Sequence, residues 1–296
     1  MEVCKHVIIP RSISTCNTIL RKMPGNLTGQ TPSCQRNINI SHCLSITKDS
    51  PTEISNHVIT SRHLHTSARH LKKMPDNLKT KNPSSQRWLV RQIQDPYVEK
   101  ARQENYRCRS AFKLLEINQR FNVLTPGLTV VDCGAAPGSW TQVAVKATNS
   151  HGKDENKRIG KVYAIDRNPI HAVEGATILG NLDFTSAKAQ KLLLEALNGD
   201  KVDVVLSDMA PNASGVRDID HELITELAYS ALKFSVQVSN TEGTFIVKMW
   251  DGGRAPQFER DTERFYKSVK IVRPAATRDE STEKFILARG FKGLKT

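Results

Sequence analysis

Three acids in this chain stand at or just beyond the end of an apolar run, and their neighbours give them more to do than cap a strand. Asp132 opens the segment Asp132-Cys133-Gly134-Ala135-Ala136-Pro137-Gly138-Ser139-Trp140. Its small residues would let backbone approach a ligand closely, and glycine relieves the φ/ψ limits of a turn. The spacing is not G-x-G-x-x-G, which argues against a dinucleotide pyrophosphate loop and so against a nicotinamide dehydrogenase. Asp166 ends the next apolar run and could accept both hydroxyls of an adenosine ribose. Asp183-Phe184 follows the third, an acid suited to an adenine amino group beside a ring suited to its face. One such acid would be an ordinary strand-end residue. Three, after three successive strands, point to a nucleoside pocket.

These residues need a scaffold that brings strand ends together, and the apolar pattern supplies one. Strands are predicted over 128–133, 161–165, 176–182, 202–207, 243–249, 269–273 and 284–288. Helices are predicted over 110–121, 140–147, 187–197, 222–238 and 258–266. Continuous apolar strands alternating with helices imply an α/β fold with a mainly parallel sheet of seven strands and helices on both faces. Ligands of such sheets sit beyond the carboxyl ends of the strands, where the three acids fall.

Here the chain resembles a known family. Asp132–Trp140 is similar to the nucleoside-binding signature of Rossmann-like class I methyltransferases. Ser207-Asp208-Met209-Ala210-Pro211-Asn212-Ala213-Ser214-Gly215 resembles the S-D-M-A-P-N-x-S/T-G segment of the FtsJ/RrmJ RNA ribose 2′-O-methyltransferases, above all those acting on mitochondrial large-subunit rRNA. Tyr106–Leu114 and Asp132–Gly138 extend the resemblance, which runs from about Trp88 to Arg289. It departs at Ser139, where the family often has a second glycine, in the polar insertion 149–158, and at Trp250-Asp251-Gly252-Gly253. The resemblance implies S-adenosylmethionine as cofactor, Asp208 also at its site, an antiparallel last strand, and a catalytic tetrad of Lys113, Asp208, Lys248 and Glu283. A ribose 2′-hydroxyl must lose its proton as it attacks the methyl carbon of a sulfonium, and a positioned base contributes about 10²–10⁴-fold. Lys248 is expected to be that base, or only to steer the hydroxyl while proximity does most of the work. Asp208 and Lys113 would orient, with Glu283 in support.

Composition sets the surroundings. Residues 1–94 hold 14 Lys/Arg against 4 Asp/Glu, so most of the formal +13 lies in the first third. That region is rich in Ser, Thr, Asn, Arg and His, and Arg62–Arg69 looks like a mitochondrial processing region. His6-Val7-Ile8 recurs as His57-Val58-Ile59 and Lys22-Met23-Pro24 as Lys73-Met74-Pro75, so segment 6–36 is repeated at 57–87. Residues 1–85 are therefore expected to be a disordered presequence and linker, and 86–296 the catalytic domain in the mitochondrial matrix. Six cysteines without C-x-x-C spacing argue against zinc, and no apolar run is long enough to span a membrane. Arg87, Arg91, Lys100, Arg102, Arg107 and Arg109, interleaved with Trp88, Tyr97 and Tyr106, are candidate RNA contacts. The partner would be large-subunit rRNA, a uridine by resemblance, or its pre-ribosomal particle, with a monomer favoured. A methyltransferase on another substrate and a non-enzymatic ribosome-assembly factor stay open.

Overall fold

The structure is a computed structural model that describes residues 82–294. Residues 1–81 of the expected presequence and linker, with the processing region and the first copy of the repeat, lie outside the described residues; its last four, expected to be disordered, cap and open the first helix. The elements run α1 (Pro83–Gln94), α2 (Pro96–Gln103), α3 (Ala111–Phe121), β1 (Thr129–Cys133), α4 (Ser139–Thr148), β2 (Lys161–Ile165), β3 (Ala176–Leu179), α5 (Ala187–Leu197), β4 (Val202–Ser207), α6 (Arg217–Val238), β5 (Ser239–Trp250), α7 (Ala255–Phe265), β6 (Tyr266–Val272) and β7 (Glu283–Phe291). The seven strands form one sheet in the order β3-β2-β1-β4-β5-β7-β6. The first five neighbours pair in parallel, and β7 runs antiparallel to both β5 and β6. The expected mainly parallel sheet and antiparallel last strand are both present.

Strand alternation divides the core in two. Val130, Leu206, Ile246, Phe285 and Leu287 pack with Leu114 and Ile117 of α3 and Val143 of α4. Val131, Val205, Phe245, Val247 and Ile286 pack on the other side with Leu193 of α5, Phe234 of α6 and Phe258 of α7. Both faces of the sheet are thus covered, which is why its strands read as unbroken apolar runs. Among the described residues no helix is long and apolar enough to cross a membrane.

The differences from expectation have local causes. Helix α6 starts at Arg217, five residues before the predicted Glu222. Its first turn is polar and shows no apolar period, but Asp218 and Asp220 suit the positive end of the helix dipole. Asp220 also accepts from the Ser214 and Gly215 N–H groups, tying the preceding loop to the helix. Tyr266 opens β6 rather than ending α7. Two short helices, α1 and α2, precede the region where the periodic pattern begins. Each has proline in its first turn and a side chain, Asn82 or Asp95, capping a backbone N–H.

Candidate active site

Beyond the carboxyl ends of β1, β2, β3 and β4 lies a pocket of about 330 Å³. That volume is at the lower end of what small-molecule sites occupy. Gly134, Ala136, Asp166, Asp183, Phe184 and Asp208 line it, together with Met209, Ala210 and Leu227. The loop after β1 is held by the next strand, because the Gly134 and Ala135 N–H groups both donate to the Ile165 carbonyl, at 2.9 and 3.1 Å. Asp166 accepts from the Ala136 and Asn168 N–H groups at 3.0 and 2.7 Å, one on each carboxylate oxygen. Each oxygen keeps a lone pair for a ligand. Asp183 accepts from the Thr185 hydroxyl and N–H, and those bonds hold its carboxyl below the ordinary range. Gly134 has φ +78°, and a Cβ there would lie 3.0 Å from the Met209 Cα. Loop and β4 tip therefore meet through bare backbone.

Five other residues of the loop do not line the pocket. Ala135 and Gly138 are buried, Gly138 against Arg107, and Pro137 is exposed with its carbonyl accepting from Arg107 at 2.8 Å. Ser139 is buried beneath the loop, its Oγ 3.0 Å from the Cys108 Sγ. Trp140 is a core residue. It is 2 % exposed, its ring packs 5.5 Å from that of Phe285, and its indole N–H donates to the Ser110 carbonyl at 2.9 Å. Helix α4 begins at Ser139, so its first turn carries these side chains back into the protein.

The four expected catalytic residues come together from four elements. Lys248 Nζ donates to Asp208 twice, to Oδ1 at 2.8 Å and to the main-chain carbonyl at 2.6 Å. Lys113 Nζ lies 2.6 Å from Glu283 Oε1, and the Thr277 hydroxyl donates to the same oxygen at 3.3 Å. The Ser110 hydroxyl donates to Asp208 Oδ2 at 2.6 Å. The Lys248 side chain is only 9 % exposed. Burial alone would push the Asp208 carboxyl up, but Lys248, Lys113 and the bonds from Lys248 and Ser110 bring it below its ordinary value. Asp132, wholly buried two strands away from Lys248, has no such cation. Burial, with the Asp208 and Asp166 charges, pushes its carboxyl up to about 7 against the opposing bond from Thr141.

Similarity to known proteins agrees with this geometry. The FtsJ-like methyltransferase family matches residues 106–291. A Drosophila melanogaster protein, "rRNA methyltransferase 2, mitochondrial", is 56% identical over 237 residues, covering 79% of this chain and 95% of its own. The chain belongs to the FtsJ-like methyltransferases. A Ruegeria pomeroyi relative, "Ribosomal RNA large subunit methyltransferase E", is 43% identical over 71% of this chain and 89% of its own. The crystal structure of a Plasmodium falciparum ribosomal RNA methyltransferase superposes with a TM-score of 0.56 at 26% identity, over 64% of this chain and all of that one.

In this FtsJ-like methyltransferase the basic lead-in is sorted by what each side chain touches. Arg107 is not a displayed cation: it donates to the Pro137, His171 and Ala172 carbonyls at 2.8, 2.8 and 2.7 Å, clamping two pocket loops. Arg109 pairs with Asp95 and donates to the Ala276 carbonyl. Tyr97 and Tyr106 pack on Phe112, and Lys100 lies 4.7 Å over the same ring. Arg87, Trp88, Arg91 and Arg102 are exposed, and Arg91 lines a cleft that also contains Lys113 and Glu283. The sequence reading missed Arg107 as a clamp and Met209, Ala210 and Leu227 as pocket walls. The shared segment around Asp208 was a signal for the first two walls. Leu227, inside a long helix, carried none.

Proposed function

We propose that this chain transfers a methyl group from S-adenosylmethionine to a ribose 2′-hydroxyl of mitochondrial large-subunit rRNA, at a uridine, within the assembling ribosome. The observation that carries this reading is the position of Asp208, which lines the pocket and also holds Lys248. Donor site and proton site thus share one wall. The pocket suits the donor in charge: Asp166, Asp183 and Asp208 line it, and its one cationic side chain, Arg167, is engaged by Asn212. Such a site favours a cationic ligand. Asp166 would hold the ribose hydroxyls, and Phe184 would meet the adenine. When bound, the cofactor supplies an electrophilic methyl group on a sulfonium.

The chain's own residues would do the rest. An anionic Asp208 takes two Lys248 N–H bonds and fixes Nζ in place. With its proton, Lys248 orients the ribose hydroxyl; without it, Nζ takes the hydroxyl proton as attack proceeds. Lys113, held by Glu283, adds a second positive charge near Asp208 and helps keep that carboxylate charged. Exposed Arg87, Arg91 and Trp88 would meet phosphate and base of the RNA. The names of the Drosophila and Ruegeria relatives support the rRNA substrate, and that of the first supports the organelle. Residues 1–85 would serve as the presequence and linker.

The test is methyl transfer from labelled donor to large-subunit mitochondrial rRNA, naked and in precursor particles. The expected product is a ribose-methylated uridine with the wild-type chain, falling at least about a hundredfold with Lys248→Ala. Full transfer by Lys248→Ala would remove Lys248 from the mechanism. No transfer by the wild type, on RNA or particles, while donor still binds would leave an assembly factor.

A further inference from the structure

Trp250 ends β5 two residues after Lys248 and pairs across the sheet with Glu283. It therefore stands beside the tetrad, and its side chain is only partly buried. It also lines a cleft of about 440 Å³, together with His221, Arg217, Ser281 and Thr282. None of the residues around this cleft lines the donor pocket. The cleft does share Glu280 and Ser281 with the one that holds Arg91, Lys113 and Glu283. The two clefts thus share one stretch of chain, and Lys113 and Glu283 of the tetrad line the second of them.

The chemistry of this cleft is that of a stacking site. His221 meets the Trp250 ring edge-on, with centroids 5.9 Å apart and planes at 77°. The turn after β5 supports His221 from behind: Gly253 has φ +55°, and a Cβ there would lie 3.3 Å from the His221 Cβ and Nδ1. A residue with a side chain would push the imidazole away. Arg217 is exposed at the rim and has no ion-pair or hydrogen-bond partner among the described residues. Of the acids nearby, Asp220 is occupied by the Ser214 and Gly215 N–H groups, Glu222 by Arg254 and Glu283 by Lys113; Asp218 and Glu280 are exposed to solvent. An aromatic face, a second ring at its edge and a free cation match an unpaired base and its phosphate.

The geometry points to the Trp250–His221–Arg217 cleft as the subsite for an unpaired RNA base adjoining the methylated ribose, a reading that rests on RNA being the substrate. Trp250 carries the base, His221 fixes the indole, and Arg217 meets the phosphate. The substrate strand must then open at this point, because a base held in a duplex offers no free face.

Base–aromatic stacking tolerates any base, so a generic strand can serve as probe. The full chain is irradiated with a nine-residue oligouridylate carrying 5-iodouridine at its centre, and the cross-linked peptide is mapped by mass spectrometry. Adducts on Trp250 or His221 are expected; adducts confined to other segments would overturn the subsite. In parallel, Trp250→Ala should weaken binding of the same oligonucleotide by about tenfold or more, and Trp250→Phe should keep it within a few-fold. Arg217→Ala, an exposed change that leaves the core untouched, should weaken it by a smaller factor that shrinks at high salt. Donor affinity should not move in any of the three. Unchanged RNA affinity in Trp250→Ala would overturn the subsite. Binding does not require transfer, so the two readings fail separately. Adducts at Trp250 in a chain that methylates no RNA would keep the subsite and defeat the methylation reading. Methylation with adducts only elsewhere would do the reverse.

Discussion

The ends of β1 and β4 lie side by side, with Cys133 paired to Ser207, and each presents an aspartate: Asp132 has no exposure, whereas the Asp208 side chain keeps 17%. The two acids behave in opposite ways. Asp132 has Thr141 on one oxygen and nothing on the other, and burial drives its carboxyl up to about 7. Partial burial would raise Asp208 as well, but Lys248, Lys113 and Ser110 face it, and its carboxyl falls below the ordinary range. Burial taxes a charge, and only partners decide whether the charge survives. The fold thus builds, from the same residue type one strand apart, an acid that is easily protonated beneath the loop after β1 and an anion beside Lys248.

Removing the anion should produce the largest effect. Asp208→Asn keeps the shape but removes the negative charge, leaving Lys248 Nζ only neutral oxygens, the amide Oδ1 and the main-chain carbonyl, to hold it. Methyl transfer to rRNA at saturating donor should fall about a hundredfold, the scale expected when a reacting group is misplaced. Single-turnover kinetics would check this. A drop of less than fivefold would mean that Asp208 does not position the lysine, and the contrast with Asp132 would lose its functional meaning.

Asp132 should matter chiefly for stability. Its folded pKa is raised above the unfolded value near 4, so between about pH 4 and 7 the folded state binds more protons. Stability must then fall as pH rises through that window, and the penalty is complete above about 7. Asp132→Asn removes the titration. Compared with the wild type, it should gain on the order of 2 kcal/mol between pH 5 and pH 8, on top of a constant cost for the amide whose N–H groups find no partner. Urea unfolding at the two pH values would check the difference. A gain of the same size at both would show that Asp132 is already ionised in the fold.

Gly134 sharpens the comparison, since its bare Cα is what lets the β1 loop sit against the β4 tip. Gly134→Ala must place a Cβ against the Met209 backbone at φ +78°. A loss of about 1–2 kcal/mol is expected from the left-handed backbone and the clash. Donor affinity should weaken with it, which calorimetry would report; unchanged affinity would show that the loop tip is not part of the donor site.

How much of this could be read from the chain alone depends on range. Asp166, Asp183 and Phe184 were legible because each follows an apolar strand, and a parallel sheet places strand ends together. The antiparallel seventh strand and the tetrad came through family resemblance, because Lys113, Asp208, Lys248 and Glu283 are far apart in sequence and no local spacing joins them. Trp140 was misread as a pocket residue: the motif marks the loop, but only the start of α4 at Ser139 shows that the indole turns into the core. Arg107 and Arg109 read as free cations because their partners are carbonyls and an acid contributed by other elements. A backbone carbonyl has no sequence signature, so a clamp of that kind appears only once the chain is folded.

The smallest expected effect tests the premise beneath the comparison, that surroundings and not distance give an ion pair its consequence. Lys153 and Glu174 lie 2.8 Å apart, the same separation as Lys248 and Asp208. Their side chains are 63% and 75% exposed, against 9% and 17% in the site. Glu174, like Asp208, is held below its ordinary value, first through its hydrogen bond with Lys153. In water the attraction is screened and offset by the entropy of ordering two long side chains. Lys153→Ala should therefore leave the melting temperature, donor affinity and methyl transfer at their wild-type values. A measurable fall in melting temperature that salt abolished would mean that exposed pairs contribute here after all. The low value at Asp208 would then no longer be evidence that a dry, doubly cationic setting is what keeps its charge.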